Sequence, residues 1–273
     1  MSEVVRRMVQ CVPWSLRNSI RLIPGLAAAQ RALVSKTLDG REFVHVVNAG
    51  PARGIYFKIR MPDDKGIWTG TYEVQFATRV ADAVKLGSVA YDIGGWHGFF
   101  SGVMSAQGAA QVHVFEPLPA NIARIQEFIG LNPEKSITLH NCAVGEHDGE
   151  MDLLVMQETS MAKLETSTFQ INSSPAARIK VILRSIDSVV AAGAPPPNLI
   201  KIDVEGAEVM VLSGALNTLR RYRPVIFIEV HSSHLLENCK KLLAAEGYWI
   251  SFVDANPELA RAKDIFQIQA CPL

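Results

Sequence analysis

The chain has 273 residues, of which 48% are hydrophobic, and its 27 basic residues balance its 27 acidic residues. A chain of this composition can bury a sizeable core, which argues against disorder, and its balanced charge gives no reason to expect nucleic acid as a partner. Cys11, Cys142, Cys239 and Cys271 lie far apart and form no C-x-x-C pair. This pattern indicates a cytoplasmic protein rather than a disulfide framework or a zinc ribbon.

The first 36 residues form a locally basic segment, with six arginine or lysine residues against the single acid Glu3. No apolar run in this segment approaches the ~20 residues that span a bilayer, and Pro13 and Arg17 interrupt any signal-peptide core. Short helices packed on the protein, with their basic side chains in water, are the favoured interpretation. Weak peripheral contact of the segment with an anionic membrane is the alternative.

The next residues predict a β-hairpin and a helix. Residues 43–47 and 55–61 are rich in β-branched and aromatic side chains, and the turn-forming segment NAGPARG separates them. Apolar residues at helical spacing over 71–86 predict a helix that ends at Gly87. We expect residues 1–66 to form a helical and β-hairpin extension, and residues 67–273 to form the main domain.

Strand and helix patterns alternate through the main domain, as in a series of βαβ units. The predicted strands are 88–93, 112–116, 136–144, 198–204 and 224–230, and the predicted helices are 99–107, 120–129, 207–222 and 235–246. These patterns indicate an α/β protein with a mostly parallel sheet.

Two further strand pairs interrupt or end this alternation. Residues 151–157 and 178–186 look like a hairpin around a Ser/Thr-rich insertion at about residues 156–178. Residues 248–254 and 265–271 are separated by too short a segment for a helical crossover, and Pro257 breaks that segment. They predict an antiparallel pair, so the sheet should end in a reversed strand.

The segment VAYDIGGWHGFF, residues 89–100, joins the first predicted strand of the main sheet to a helix through a glycine-rich turn. Its glycines do not match G-x-G-x-x-G, and Asp92 would oppose the phosphates of a dinucleotide. A cationic, phosphate-free cofactor such as S-adenosylmethionine suits that carboxylate better. Gly94 and Gly98 would let the backbone approach the ligand closely, and Glu116 is placed to bind a ribose diol.

Four segments together carry a resemblance to a known family. They are YDIGGWHGFFS (91–101), VFEPLPANIARIQ (114–126), LIKIDVEGAEVMVLSGA (199–215) and RPVIFIEVH (223–231). In this order and spacing they resemble the FkbM family of S-adenosylmethionine-dependent methyltransferases. The resemblance implies a Rossmann-like, seven-stranded class I methyltransferase fold and O-methylation of a hydroxyl on a sugar, glycan or natural product.

The resemblance and the strand ends together predict the site residues. The predicted cofactor-binding residues are Asp92, Gly94, Gly95, Trp96, Gly98, Glu116, Pro117, Asn141, Cys142 and Asp203. The predicted catalytic residues are Asp203, Glu205 and His231. Either carboxylate, or a histidine with a pKa near neutrality, could take the proton of the attacking hydroxyl.

Several alternatives stay open at this point. The family turn usually reads D-x-G-A-N-x-G, whereas this chain has Gly95 and Trp96 in place of the alanine and the asparagine. Trp96 would cover the ligand, stack on its cation or fill space between sheet and helix, and we expect His97 to face solvent. No metal site is predicted. A non-catalytic module with the same fold and an NAD-dependent oxidoreductase are the competing functions.

Overall fold

The computed structural model describes residues 38–156, 162–164, 175–253 and 264–273. The interpretations of residues 1–37 and of most of the Ser/Thr-rich insertion lie outside these ranges. Within them, no helix combines the length and the apolar character that crossing a membrane requires.

The predicted strands and helices occur in the expected order, and three elements that the sequence did not predict accompany them, over Lys65–Thr69, Ala162–Leu164 and Ile186–Ala191. The strands are β1 Glu42–Val46, β2 Tyr56–Arg60, β3 Val89–Ile93, β4 Gln111–Phe115, β5 Ile137–His140, β6 Ala143–Val144, β7 Gly149–Met156, β8 Ala162–Leu164, β9 Pro175–Arg184, β10 Leu199–Ile202, β11 Val225–Val230, β12 Tyr248–Phe252 and β13 Phe266–Pro272. The helices are α1 Lys65–Thr69, α2 Val74–Ala83, α3 Phe99–Ala106, α4 Pro119–Leu131, α5 Ile186–Ala191, α6 Glu208–Ser213, α7 Leu216–Tyr222 and α8 Ser233–Ala245.

The main sheet has seven strands in the order β12-β13-β11-β10-β3-β4-β5. Strand β13 runs antiparallel to both of its neighbours, and the remaining pairs are parallel. This arrangement confirms the predicted mostly parallel α/β fold with a reversed strand near the C-terminus. The chain winds outward from β3 in one direction through β4 and in the other through β10, so a crevice forms at their carboxyl ends.

Two smaller sheets accompany the main one. Strands β1 and β2 pair antiparallel, which confirms the predicted hairpin. Strands β7 and β9 also pair antiparallel, within a second sheet of order β6-β9-β7-β8. The strand predicted over 136–144 is divided, because β5 belongs to the main sheet and β6 pairs with β9.

Two helix predictions are wrong, one in where the helix ends and one in the number of helices. Helix α2 ends at Ala83, and Gly87 lies in the following turn with a φ of 79°. The single helix predicted over 207–222 is two helices, α6 and α7, with Gly214 between them. A Cβ at Gly214 would overlap the carbonyl oxygen of Gly145, so only glycine fits where these two backbones approach each other.

Hydrophobic clusters cover both faces of the main sheet. Tyr91 and Ile200 point into one cluster, and the alternate residues Ala90 and Leu199 point into the other. Side chains of the β1–β2 hairpin pack in the second cluster with α2 and α3. The boundary at residues 66 and 67 stays a prediction, and the hairpin shares this part of the core with the main sheet.

Candidate functional site

A cavity of about 250 Å³ lies at the carboxyl edge of the main sheet, where β3, β4 and β10 end. Its lining includes residues 94–96 after β3, residues 116–118 after β4 and residues 203–205 after β10. Residues 142–144 and the pair 72–73, just before α2, also contribute to the wall. The cavity occupies the crevice that the reversal of strand order predicts.

The glycine turn after β3 passes between two neighbouring strands. The amide groups of Gly94 and Gly95 both donate to the carbonyl oxygen of Phe115, at 3.0 and 3.1 Å. A Cβ at Gly94 would overlap the carbonyl oxygen of Asp203, and a Cβ at Gly95 would overlap the side chain of Val114. Both glycines are therefore needed for the turn to lie this close to β4 and β10.

Replacing Gly94 with alanine is expected to destabilise the protein more than the matched change Gly87→Ala. Both glycines have a positive φ, 76° and 79°, but a Cβ at Gly87 meets nothing within 4 Å. The overlap with Asp203 should lower the free energy of unfolding by about 1–3 kcal/mol beyond the loss in the control. Urea denaturation of the two variants measures this difference, and equal losses would contradict it.

Trp96 and His97 follow the glycines, and their rings stack on each other with the centroids 3.4 Å apart. Trp96 lines the cavity with a φ of 49°, and its indole stacks on Tyr72 with the ring centroids 5.4 Å apart. His97 is buried, so the prediction that it faces solvent is wrong. Its Nε2 lies 2.7 Å from Nη1 of Arg124.

The imidazole of His97 belongs to a buried polar cluster beneath the turn. Its Nδ1 lies 3.5 Å from a carboxylate oxygen of Asp64, which also binds Arg124. Burial lowers the pKa of His97 to about 4, so the ring is neutral at physiological pH. The cluster connects the glycine turn after β3 to the segment that follows the β1–β2 hairpin.

Glu116 connects the turn after β3 to the loop after β4. Its Oε2 accepts a hydrogen bond of 2.9 Å from the backbone N–H of Trp96, and its Oε1 accepts one of 3.0 Å from that of Leu118. The side chain lines the cavity although it is almost fully buried, and this burial raises its pKa to about 7. Glu116 and Pro117 both line the cavity, and their part in binding a ribose stays a prediction.

Asp92 is not among the residues that line the cavity, and its part in binding a cofactor stays a prediction. It is fully buried, accepts a hydrogen bond of 2.7 Å from Ser101 Oγ, and lies 3.5 Å from Lys201 Nζ. Gly98 and His231 are also outside the lining, and Asn141 is solvent-exposed, whereas the neighbouring Cys142 lines the cavity.

Lys201 is a site residue that the sequence reasoning missed. It lies in β10, is 2% exposed and lines the cavity. Its Nζ donates to the carbonyl oxygen of Gly94 at 3.0 Å and lies 3.4 Å from Asp203 Oδ2. A lysine inside the apolar run LIKI was the available signal, because a buried lysine requires anionic partners.

Carboxylates surround His231 at the end of β11. Its Nδ1 lies 2.7 Å from Glu208 Oε1, and its Nε2 lies 3.4 Å from Glu205 Oε2 and 3.7 Å from Asp203 Oδ1. Burial alone would lower the pKa of His231, but the bond to Glu208 and the charges of Asp203 and Glu205 raise it to about 10. The imidazole is consequently a cation at neutral pH.

The pKa of Glu205 is also raised, but here burial raises the pKa, whereas burial alone would lower that of His231. Burial is the main cause, and repulsion from Asp203, Glu229 and Glu208 adds to it, so the pKa of Glu205 is about 7 although His231 lowers it. Three side chains lie close enough together to hold a metal ion. One ligand atom from each of Asp203, Glu205 and His231 lies within 4.8 Å of the other two. A metal ion would have to displace the proton of His231, and the absence of a metal stays a prediction.

The loop before α2 contributes a second residue that the sequence reasoning missed. Glu73 lines the cavity and has a φ of 40°, which is uncommon for a residue other than glycine. Nothing in the pattern around residues 71–86 distinguishes this acid from an exposed helix-start residue. Its placement depends on how the loop packs against the end of the sheet.

Comparisons with known proteins agree with this architecture. A family model described as Methyltransferase FkbM domain matches residues 89–261. The curated hexuronic acid methyltransferase AglP of Haloferax volcanii is 30% identical over 157 residues, which are 57% of this chain and 61% of that protein. The crystal structure of methyltransferase FkbM from Methylobacillus flagellatus KT has a TM-score of 0.50 and 18% identity, over 75% of this chain and 52% of that one. The match thus spans about three fifths of the curated relative and about half of the solved structure.

Proposed function

This chain belongs to the FkbM methyltransferase family, and from that premise we propose that it transfers a methyl group from S-adenosylmethionine to a hydroxyl of a sugar or glycan. The observation that carries the proposal is the acidic cavity at the carboxyl ends of β3, β4 and β10. When bound, S-adenosylmethionine supplies an electrophilic methyl group on a cationic sulfur.

The residues around the cavity fit such a donor. Five carboxylates belong to the described lining, and they are Glu73, Glu116, Asp203, Glu205 and Glu229. Lys201 is the cation of that lining, and it already contacts Asp92 and Asp203. This charge distribution favours a sulfonium and an ammonium group and opposes the pyrophosphate of a dinucleotide.

We assign each part of the donor to one wall of the cavity, according to the strand that precedes that wall. Glu116 and Pro117 would bind the ribose, and Cys142 would lie against the adenine. The turn of Gly94, Gly95 and Trp96 would hold the methionine portion. Asp92 and Gly98 would act indirectly, the first through Lys201 and the second by starting α3.

The cluster after β10 and β11 supplies the chemistry. A hydroxyl must lose its proton as it attacks, so a base within hydrogen-bond reach is required. We assign this role to Glu205, because its pKa of about 7 leaves much of it ionised at neutral pH and still basic enough to accept a proton. The imidazolium of His231 would orient Glu205 and Asp203, since a cation cannot itself accept the proton.

The family relative and the cavity together support the choice of acceptor. The Haloferax volcanii relative is named for a hexuronic acid. Carboxylates such as Asp203 and Glu229 accept hydrogen bonds from the hydroxyls of a sugar ring, which fits a polyol acceptor. A sugar hydroxyl is accordingly the acceptor that we propose for this chain.

Titration calorimetry of the purified protein tests the donor. We expect S-adenosylmethionine and S-adenosylhomocysteine to bind and NAD not to bind. Transfer of a labelled methyl group to a panel of hexoses, amino sugars and uronic acids then tests the acceptor. A protein that binds NAD and neither adenosyl ligand would contradict the proposal. Binding without transfer to any acceptor would favour the non-catalytic alternative.

A further inference from the structure

Glu73 combines two features that folding alone does not explain. It immediately precedes α2 with a φ of 40° and a ψ of 40°, yet its side chain makes no capping hydrogen bond to the helix. An acid at this position normally accepts a hydrogen bond from the first helical turn. Here the carboxylate instead forms part of the cavity wall.

The surroundings of this carboxylate are unfavourable to its negative charge. Its Oε2 is buried and has no hydrogen-bond partner. Burial is the main cause that raises the pKa of Glu73 to about 7, and repulsion from Glu229 and Asp203 adds to it, although the charge of Lys201 and a hydrogen bond from the Tyr72 hydroxyl lower it. A buried acceptor without a donor is costly, so a ligand that donates to it would stabilise the site.

The position of Glu73 within the cavity indicates which group that ligand would present. The preceding residue, Tyr72, stacks on Trp96, so Glu73 lies beside the turn assigned to the methionine portion of the donor. Glu116 and Cys142 are assigned to the adenosine portion. The α-ammonium group is the hydrogen-bond donor of that methionine portion, and a carboxylate binds it with a charge-assisted bond.

We propose that Glu73 binds the α-ammonium group of the methyl donor and so selects a ligand that carries an amino acid. This inference rests on the proposed function, because it presumes an adenosyl ligand in the cavity. It also assigns a binding role to a residue outside the segment 89–261 that the family model matches.

Calorimetry with three ligands and two variants tests the inference. S-adenosylmethionine has both the sulfonium and the ammonium, S-adenosylhomocysteine has only the ammonium, and 5′-methylthioadenosine has neither. Glu73→Gln should weaken the first two about 10- to 100-fold, the range for losing a hydrogen bond to a charged group, and leave the third unchanged. Glu134→Gln, a change at an exposed acid between α4 and β5, should leave all three unchanged.

The other outcomes overturn the inference in distinguishable ways. Unchanged affinity of Glu73→Gln for S-adenosylhomocysteine would show that the ammonium lies elsewhere. Equal weakening of all three ligands would show that Glu73 only shapes the cavity. If Glu73→Gln fails to fold, the wild-type protein is tested with a deaminated S-adenosylhomocysteine. This ligand should bind about 10-fold more weakly than S-adenosylhomocysteine itself. Equal binding of the two ligands would contradict the inference. A wild type that binds no adenosyl ligand would instead refute the proposed function.

Discussion

Replacing Lys201 with methionine is expected to lower the free energy of unfolding by about 3–5 kcal/mol, the cost of leaving a buried charge without its partner. Lys201 is 2% exposed and Asp92 is fully buried, and the Nζ and Oδ1 atoms lie 3.5 Å apart. Ser101 is the remaining hydrogen-bond donor to this carboxylate. Methionine is close to lysine in volume, so the loss reports the missing charge rather than a cavity.

Two controls separate the buried charge from a general effect of losing a lysine. Lys240 lies 3.0 Å from Glu237 on the surface of α8, and Lys240→Met should change the free energy of unfolding far less. The double variant Lys201→Met/Asp92→Asn should recover part of the loss, because it removes the stranded carboxylate. Urea denaturation measures all three variants. A Lys201→Met protein as stable as Lys240→Met would show that Asp92 does not depend on this cation.

The main sheet could be predicted because its strands are short apolar runs bounded by turn residues. The runs over 88–93 and 198–204 correspond to β3 and β10, which lie side by side in parallel. The helix break at Gly214 could not be predicted in this way. It coincides with a close approach to the backbone of Gly145, which is distant in the sequence, and no local pattern carries that information.

The same distinction separates the predicted from the missed site residues. Gly94, Glu116 and Asp203 lie at or near the carboxyl ends of strands, and the parallel sheet brings such positions to one edge. Lys201 and Glu73 depend on pairings that only the fold creates. In the sheet register Lys201 lies opposite Asp92, so the buried ion pair exists only once β3 and β10 are neighbours.

Replacing Glu205 with glutamine is expected to reduce kcat by about 10²- to 10⁴-fold, the usual contribution of a general base. The hydroxyl of the acceptor then has no carboxylate at this position to take its proton. Binding of S-adenosylhomocysteine should persist, because Glu116 and the turn of Gly94 are untouched. Glu150 is an exposed acid in β7, and Glu150→Gln serves as the matched control that should retain full activity.

The pH dependence of kcat assigns the proton acceptor to one carboxylate. A base is active in its ionised form, so wild-type activity should rise with pH through about 7, the raised pKa of Glu205, and then level off. Glu73 and Glu116 also have raised pKa values of about 7, so the wild-type profile alone does not distinguish them. The residual activity of Glu205→Gln should lose this rise if Glu205 is the base. A rise that persists near pH 7 in the variant would transfer the role to another carboxylate of the cavity.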